Sequence, residues 1–458
     1  MTVPGIGRAA KRALEDPVLG RNVVRATDLS TIHRKAAVAE RPDWEALRQR
    51  AEAVRAHALG SLDRHLAGFV EEARRRGAVV HSAADADEAC RIVLDLVEGA
   101  EGTRILKSKS MTSEEVGLNA RLEARGLEPL ETDLGEYIVQ LAGEPPSHIT
   151  APALHRSTEQ IHDLFRKHGV LEGAGAPPED RVELAAWLSL RAREHLRQRL
   201  LDADVGITGA NFLVAETGTI VLVENEGNIR FTTTSPRIQI ALAGIDKVVP
   251  RLEDLATLLP LLTRSATGQR ATSYVQMISG PVGEALHVVL LDGGRSRLLA
   301  DPDDREILHC IRCGACMNVC PVYRTVGGHA YGSPYPGPIG ALLTPLLRDG
   351  PGDDELPFAS TLCGACTEAC PARIDLDAHL LRHRGRFVGE GRRGAVEAGA
   401  FGLWRFLMAG PRRYAFAGRL ARILQVPAKW LGLLHAWTRT RAEPRVARRS
   451  FLRSWRRR

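Results

Sequence analysis

Apolar positions recur at helical spacing from Trp44 to Arg76, between Pro42-Asp43 and Gly77. This predicts one long helix, with Asp43 as N-cap and Gly77 just past its C-terminus. A shorter rhythm follows. Ala78-Val79-Val80 reads as a strand and Ala84 to Leu96 as a helix. Arg104-Ile105-Leu106 is a strand, Ser113 to Arg125 a helix capped by Ser113, and Leu127 to Thr132 a further strand. LEGAGAPPED at 171–180 has the chemistry of a turn, and Val182 to Leu201 is again helical. VGITGANFLVAETGTIVLV, rich in β-branched residues and punctuated by Gly, reads as strands over 203–223. Lys247-Val248-Val249 and Ala285 to Leu291 extend the sheet. Strands alternating with helices predict an α/β layered domain over 41–300, after a weakly periodic N-terminal extension at 1–40. Cys, Gly and Pro dominate 301–385. Residues 386–458 are helical, basic and tryptophan-rich.

Cysteine usage changes the picture most. Seven of the eight cysteines fall between Cys310 and Cys370. The eighth, Cys90, sits in a helical pattern as a small buried hydrophobe would. The first run, Cys310-x2-Cys313-x2-Cys316-x3-Cys320-Pro321, has the spacing of bacterial ferredoxins, in which the fourth cysteine serves the other cluster. The second, Cys363-x2-Cys366-x3-Cys370-Pro371, is the back half of the same motif. Crossed ligation assigns Cys310, Cys313, Cys316 and Cys370 to one [4Fe–4S] cluster and Cys320, Cys363 and Cys366 to a second. Structural zinc favours paired C-x2-C or Cys/His sets, which these runs do not follow. The place of an eighth ligand, three residues before Cys363, is held by Ser360. The second cluster is therefore expected to have a non-cysteine ligand (Ser360, another side chain, water or a partner group) or to be a [3Fe–4S] cluster. His309 and His329 lie nearby in sequence and are expected to face solvent.

Net charge is +7, but from Leu381 onward 20 Lys/Arg face three Asp/Glu. That excess of 17 leaves about −10 on the remainder. A basic tail on an acidic body suits an acidic partner, an anionic membrane surface or nucleic acid. Its tryptophans, Trp404, Trp430, Trp437 and Trp455, favour partner docking, with peripheral membrane contact as the other use and no nucleic acid expected. No run of eighteen apolar residues occurs, and the N-terminal stretch has no apolar core of a signal peptide, so the expected location is the cytoplasm. Gly389-Glu390-Gly391-Arg392-Arg393-Gly394 spells G-x-G-x-x-G without a preceding strand, and no phosphate-binding loop or nucleophile elbow is present. Nicotinamide, flavin and serine-hydrolase chemistry thus have no motif here.

Three polar stretches in the α/β part are candidates for ligand chemistry. Lys107 to Glu115 lies between a strand end and a helix start, where Lys107 and Lys109 suit an anion. Glu131 to Glu136 places three carboxylates past a strand. Glu224-Asn225-Glu226-Gly227 reads as a strand-end turn.

The stretches KSKSMTSEEVGLN, ETDLGEYIVQLAGEPPSHI, GITGANFLVAETGTIVLVENEGN and CIRCGACMNVCPVYRTVGGHAYGSPYPGPIG, in this order, resemble the iron–sulfur B-subunit family of the bacterial lactate-utilisation (LUD-domain) system. The resemblance implies a LUD-type α/β domain like the sugar-isomerase and CoA-transferase superfold, then a helical two-cluster ferredoxin domain and a basic helical C-terminal region. It implies an electron-transfer subunit in a complex oxidising L-lactate to pyruvate, with a cysteine-rich subunit and a shorter LUD protein as partners, reaching the inner face of the membrane through them. Lys107, Lys109, Glu224 and Glu226 are the candidate substrate residues. Two readings compete: an acyl- or CoA-transferase with Glu224 or Glu226 as nucleophile and structural clusters, and a redox sensor binding nucleic acid through its tail.

Overall fold

The computed structural model describes residues 5–348, 350, 352–392, 395–431, 438, 442, 447 and 451–455. It divides into two compact units, residues 1–384 and 385–458. The first contains a six-stranded, all-parallel sheet, made from β1 (Val79–Ala83), β2 (Arg104–Lys107), β3 (Glu128–Glu131), β4 (Val205–Thr208), β7 (Ile238–Gly244) and β10 (Ala285–Leu291). The strand order is β1-β10-β7-β4-β2-β3. Every residue of β4 is buried, as expected for the centre of a sheet covered on both faces.

The side on which successive strands are added to the sheet reverses between β2 and β4. From β2 the next strand, β3, lies outward on one side, whereas β4, β7 and β10 step away on the other. Loops leaving the carboxyl ends of such neighbours diverge and open a crevice, where ligands of open α/β sheets bind. Gly209, just past β4, lets the chain pass close to the loop after β2: a Cβ there would meet Ser110 Oγ at 2.6 Å.

The strand-rich stretch 203–223 does not all join this sheet. After β4 the chain turns at Gly209-Ala210, and β5 (Phe212–Val214) and β6 (Thr219–Glu224) form a hairpin in a second sheet of order β8-β5-β6-β9, with β8 (Val248–Val249) and β9 (Tyr274–Ile278). Val248-Val249 therefore extends the small sheet, correcting the expectation of one continuous sheet.

Several local expectations are also corrected. The predicted long helix is two, Trp44–Gly60 and Leu62–Arg75, broken at Ser61. The Asp43 carboxylate accepts no backbone N–H of the helix, because Arg41 Nε and Nη2 occupy it at 2.8 and 2.7 Å. The helix read from Ser113 is two short helices separated by Gly117 at φ 65°, and its cap is Ser110, whose Oγ accepts the Ser113 N–H at 3.3 Å. Residues 1–40 carry helices Ile6–Leu14 and Pro17–Ala39. The second reaches the cysteine region, since Arg34 Nη2 donates to the Ala369 carbonyl at 2.9 Å. Cys90 is buried as expected.

The unit from Gly385 onward contains helices Ala395–Met408 and Pro411–Trp430, in contact with each other, and the short helix Phe451–Trp455. Arg413 stacks over Phe406 at 4.2 Å. Phe401, Trp404, Phe416, Ile423, Trp430 and Trp455 are exposed. Trp437 lies outside the described residues. No helix among the described residues is long and apolar enough to cross a membrane.

Candidate iron–sulfur centre and the adjoining cleft

The two cysteine runs fold as copies of one device, offset by fifty positions. In Arg312-Cys313-Gly314-Ala315-Cys316 and Leu362-Cys363-Gly364-Ala365-Cys366 the residue before the first cysteine has positive φ (59° and 54°), as does the following glycine (79° and 77°). A short helix then starts at each alanine, Ala315–Asn318 and Ala365–Ala369. Left-handed φ at a non-glycine residue is costly and marks a backbone held by its surroundings. Here it turns each run of the chain just ahead of its short helix. The Arg312 N–H donates to Cys310 Sγ at 3.4 Å, and at the equivalent place the Leu362 N–H donates to Ser360 Oγ at 3.1 Å. Ser360 thus stands in the second run where Cys310 stands in the first.

The sulfurs fall into two groups that each draw on both runs. Cys310, Cys313, Cys316 and Cys370 line one cavity. The charges of Cys310 and Cys370 bear on Cys313 and Cys316. In the other group Cys363 bears on Cys320, and Cys320 on Cys366. Burial pushes the Cys313 thiol up to about 12, Cys366 to about 12 and Cys370 to about 11. Thiolates at these positions therefore need a compensating centre.

The surroundings fit such a centre. Backbone N–H groups face the sulfurs: Ala315 to Cys313, Ile339 to Cys316, Val322 and Tyr323 to Cys320, and Ala372 and Ile374 to Cys370. Hydrogen bonds to sulfur are among the levers that set cluster potentials. The buried Tyr331 hydroxyl lies beside Cys320, where it faces the sulfur as a hydrogen-bond donor. His309 departs from expectation. It is buried, and burial pulls its imidazole down to about 4. His329 is half-buried, its Nε2–H donating to the Pro145 carbonyl at 2.8 Å.

A polar cluster ties the segment after the second cysteine run to the segment before the first. His379, in the helix Leu376–Gly389, bonds Glu306 through Nε2 at 3.1 Å and has Asp304 at 3.7 Å from Nδ1. Burial opposes its charge, but hydrogen bonds to Asp304 and Glu306 outweigh it and lift the imidazole to about 9. A raised folded-state value stabilises fully below the unfolded value near 6.5, and this is lost as pH rises through 9. Resistance to urea is expected to fall between pH 6.5 and 9 in the cluster-loaded protein. His379→Gln should flatten that decline, as read from denaturation midpoints at pH 6, 7.5 and 9.

The crevice between β2 and β4 opens into a cleft of about 270 Å³. Loops after four parallel strands supply Lys109 (β2), Asp133 (β3), Asn211 (β4) and Lys247 (β7), while Glu224 and Glu226 come from the end of β6. Arg312 and Tyr335 also line it, Arg312 stacking on the Tyr335 ring at 5.0 Å. Arg312 lines the cavity of the first sulfur group as well, so the two spaces share one residue. Lys109 Nζ is buried without a hydrogen-bond partner, with Glu136 Oε1 4.0 Å away. Burial lowers the Lys109 ammonium and raises Glu136 to about 8. Burial and the nearby Arg312 bring Lys247 down to about 8.

Of the four residues read from sequence as substrate contacts, Lys109, Glu224 and Glu226 meet in this cleft and Lys107 does not. Lys107 is fully buried, bonding Glu131 at 2.6 Å and Glu114 at 2.9 Å. Burial opposes its charge, but Glu131 and Glu114 outweigh it and keep it protonated. Glu224 has both oxygens engaged: Oε2 accepts the Ile229 N–H and Oε1 the Gln276 amide, each at 2.6 Å. Sequence reading missed Lys247 and Arg312. Arg312 was legible only as an arginine within a cysteine run, and Lys247 only as a lysine past a strand.

Residues 66–295 match the LUD domain, and residues 306–374 match the 4Fe-4S dicluster domain. "Lactate utilization protein B" of Lysinibacillus sphaericus is 43% identical, over 97% of this chain and 94% of its own length. Proteins of that name from Shouchella clausii and Bacillus licheniformis are each 42% identical, over 98% and 96% of this chain and 95% and 94% of their own. Near full-length identity at this level, together with matches to both domains, makes this chain a member of the lactate utilization protein B family.

Proposed function

We propose that this chain is the iron–sulfur electron-transfer subunit of a complex that oxidises L-lactate to pyruvate. The observation that carries the reading is the sorting of seven cysteines into two groups that each mix both runs. Cys310, Cys313, Cys316 and Cys370 hold the first [4Fe–4S] cluster. Cys320, Cys363 and Cys366 hold the second, with Ser360 at the position of the fourth ligand. Oxidation of lactate to pyruvate releases two electrons and two protons. Each cluster accepts one electron, so two clusters match the stoichiometry of a relay. The names of the relatives support lactate as the substrate of the system.

Lys109, Glu224 and Glu226 are the residues on this chain nearest the substrate, with Lys107 holding the strand end behind them through Glu131 and Glu114. The acyl-transferase reading fares worse, because Glu224 is spent on Ile229 and Gln276 and is poorly placed as a nucleophile. A cysteine-rich subunit and a shorter LUD protein are the partners. The exposed aromatics of the C-terminal helices, in a strongly basic segment, suit docking to an acidic partner surface. The complex works in the cytoplasm, at the inner face of the membrane through its partners.

Co-purification from the native cell, with iron content and lactate-driven cluster reduction measured on the isolated complex, tests this. About eight iron atoms per chain are expected, with paramagnetic signals of two distinct clusters appearing on addition of L-lactate. Stoichiometric zinc without charge-transfer absorption would refute the reading. Two indistinguishable, fully thiolate-ligated clusters would refute the role of Ser360.

A further inference from the structure

We propose that the cleft between β2 and β4 binds a small carboxylate anion through Lys109, Lys247 and Arg312, and that Arg312 couples its occupancy to the potential of the cluster held by Cys310, Cys313, Cys316 and Cys370. The second half of this proposal rests on the electron-transfer reading above; the first half does not.

Three cationic side chains meet in one small concavity. Lys109 Nζ is buried without a hydrogen-bond partner, its only ion pair among the described residues being with Glu136 Oε1 at a loose 4.0 Å, and Arg312 Nε and Nη1 are buried without partners as well. The remaining Arg312 nitrogen, Nη2, reaches Asp246 only at 3.5 Å. Buried charged donors left without acceptors are costly, and several converging on a cavity mark the place of an anion. The acidic residues of the cleft do not fill that role. Glu224 is engaged by Ile229 and Gln276, Asp133 accepts the Glu136 N–H at 3.0 Å, and Glu226 accepts the Leu134 N–H at 3.4 Å. These carboxylates still add acceptors to the same cleft, which favours an anion that also carries a hydroxyl donor, as a 2-hydroxy acid does. A cleft of about 270 Å³ is below the roughly 300–1,000 Å³ of pockets for drug-sized ligands. That size suits a metabolite of a few carbons.

Arg312 belongs to both spaces. Its backbone N–H donates to Cys310 Sγ at 3.4 Å, while its side chain lines the cleft against Tyr335. A guanidinium without a full counter-charge favours the more negative, reduced cluster. An anion paired with it removes part of that effect. The anion therefore binds the oxidised form more tightly, and by linkage its binding lowers the cluster potential. Tenfold weaker binding to the reduced form corresponds to a downward shift of about 59 mV for a one-electron couple. Product held in the cleft would in this way favour passage of the electron to the second cluster.

The test uses the full chain prepared anaerobically with its clusters, and oxamate as an unreactive carboxylate probe. Calorimetry should show oxamate binding that Lys247→Gln weakens at least tenfold with iron content unchanged, and that inorganic phosphate does not reproduce. Potentiometric titration followed by electron paramagnetic resonance should show oxamate lowering the potential of one cluster only. Arg312→Gln should abolish that shift while both cluster signals remain. No oxamate binding, equal binding of phosphate, or binding unaffected by Lys247→Gln overturns the anion site. Equal shifts of both clusters, or a shift that survives Arg312→Gln, overturns the coupling. A preparation without clusters fails the electron-transfer reading and the coupling that rests on it, whereas the calorimetric comparison still decides the anion site.

Discussion

Replacing Cys370 with Ser is expected to remove the cluster associated mainly with the first cysteine run, although Cys370 belongs to the second. Iron content should fall from about eight to about four atoms per chain, and the surviving signal should belong to the cluster of Cys320, Cys363 and Cys366. The reason is spatial. Cys370 lines the cavity of Cys310, Cys313 and Cys316. It is held there by the chain's N-terminal helices, since Arg48 Nε and Nη2 donate to the Cys370 carbonyl at 3.0 and 2.7 Å. A serine hydroxyl keeps the volume but is a harder, more basic donor that gives up its proton reluctantly. Under the proposed ligation the segment between the runs also loses one of its two metal closures, so the variant should unfold at lower denaturant. Loss of the other cluster, with the first intact, would show that ligation is not crossed.

Asp246→Asn is expected to be the most destabilising single-atom change in the α/β unit. The Asp246 side chain is fully buried after β7, bonding Arg295 Nε at 2.6 Å through Oδ1 and facing Arg312 Nη2 at 3.5 Å through Oδ2. Arg55, also buried, donates to the Asp246 and Val248 carbonyls and, at 2.9 Å, to Leu308. Arg295 continues to Glu115 at 2.8 and 2.9 Å, and Glu115 accepts the Tyr335 hydroxyl at 2.7 Å. Burial opposes the Asp246 charge, but Arg295 and Arg312 overcome it and hold the carboxyl well below its usual range. Breaking one partner out of such a buried network costs about 3–5 kcal/mol, because the remaining charges stay buried and uncompensated. The asparagine variant should therefore show a sharply lower denaturation midpoint at pH 7. A depressed folded-state value stabilises above the unfolded value near 3.8 and is lost as pH falls below it. The gap between wild type and variant should accordingly narrow in acid. An unchanged midpoint at pH 7 would mean that the arginines find other acceptors.

How far the sequence could be read depended on whether the signal was local. Arg104–Lys107, Val205–Thr208 and Ala285–Leu291 were legible as strands because burial on both faces demands runs of apolar and β-branched residues. Helix caps were less legible. Asp43 and Ser113 have the right chemistry, but Arg41 claims the first, and the chain enters its helix earlier than the second, at Ser110. The pairing of β8 with β5 instead of the large sheet was not legible, because two valines carry no record of which edge they will meet.

By itself, the sequence determined that iron–sulfur chemistry belongs at 310–370, since thiolate spacing is a local property of the chain. It also determined that one place in the repeated pattern carries Ser360 instead of cysteine. Lys109, Glu224 and Glu226 were visible as polar residues at strand ends. Only the tertiary structure decided that they share one cleft, that Lys107 is withdrawn into pairs with Glu131 and Glu114, and that Lys247 and Arg312 complete the cationic lining. Those decisions follow from strand order. Parallel strands far apart in sequence bring their carboxyl ends to one edge of the sheet, and side chains from β2, β3, β4 and β7 meet there. The same packing brings Arg312, two positions after Cys310, into one cleft with Lys109, about two hundred positions earlier in the chain, a juxtaposition that no local pattern encodes.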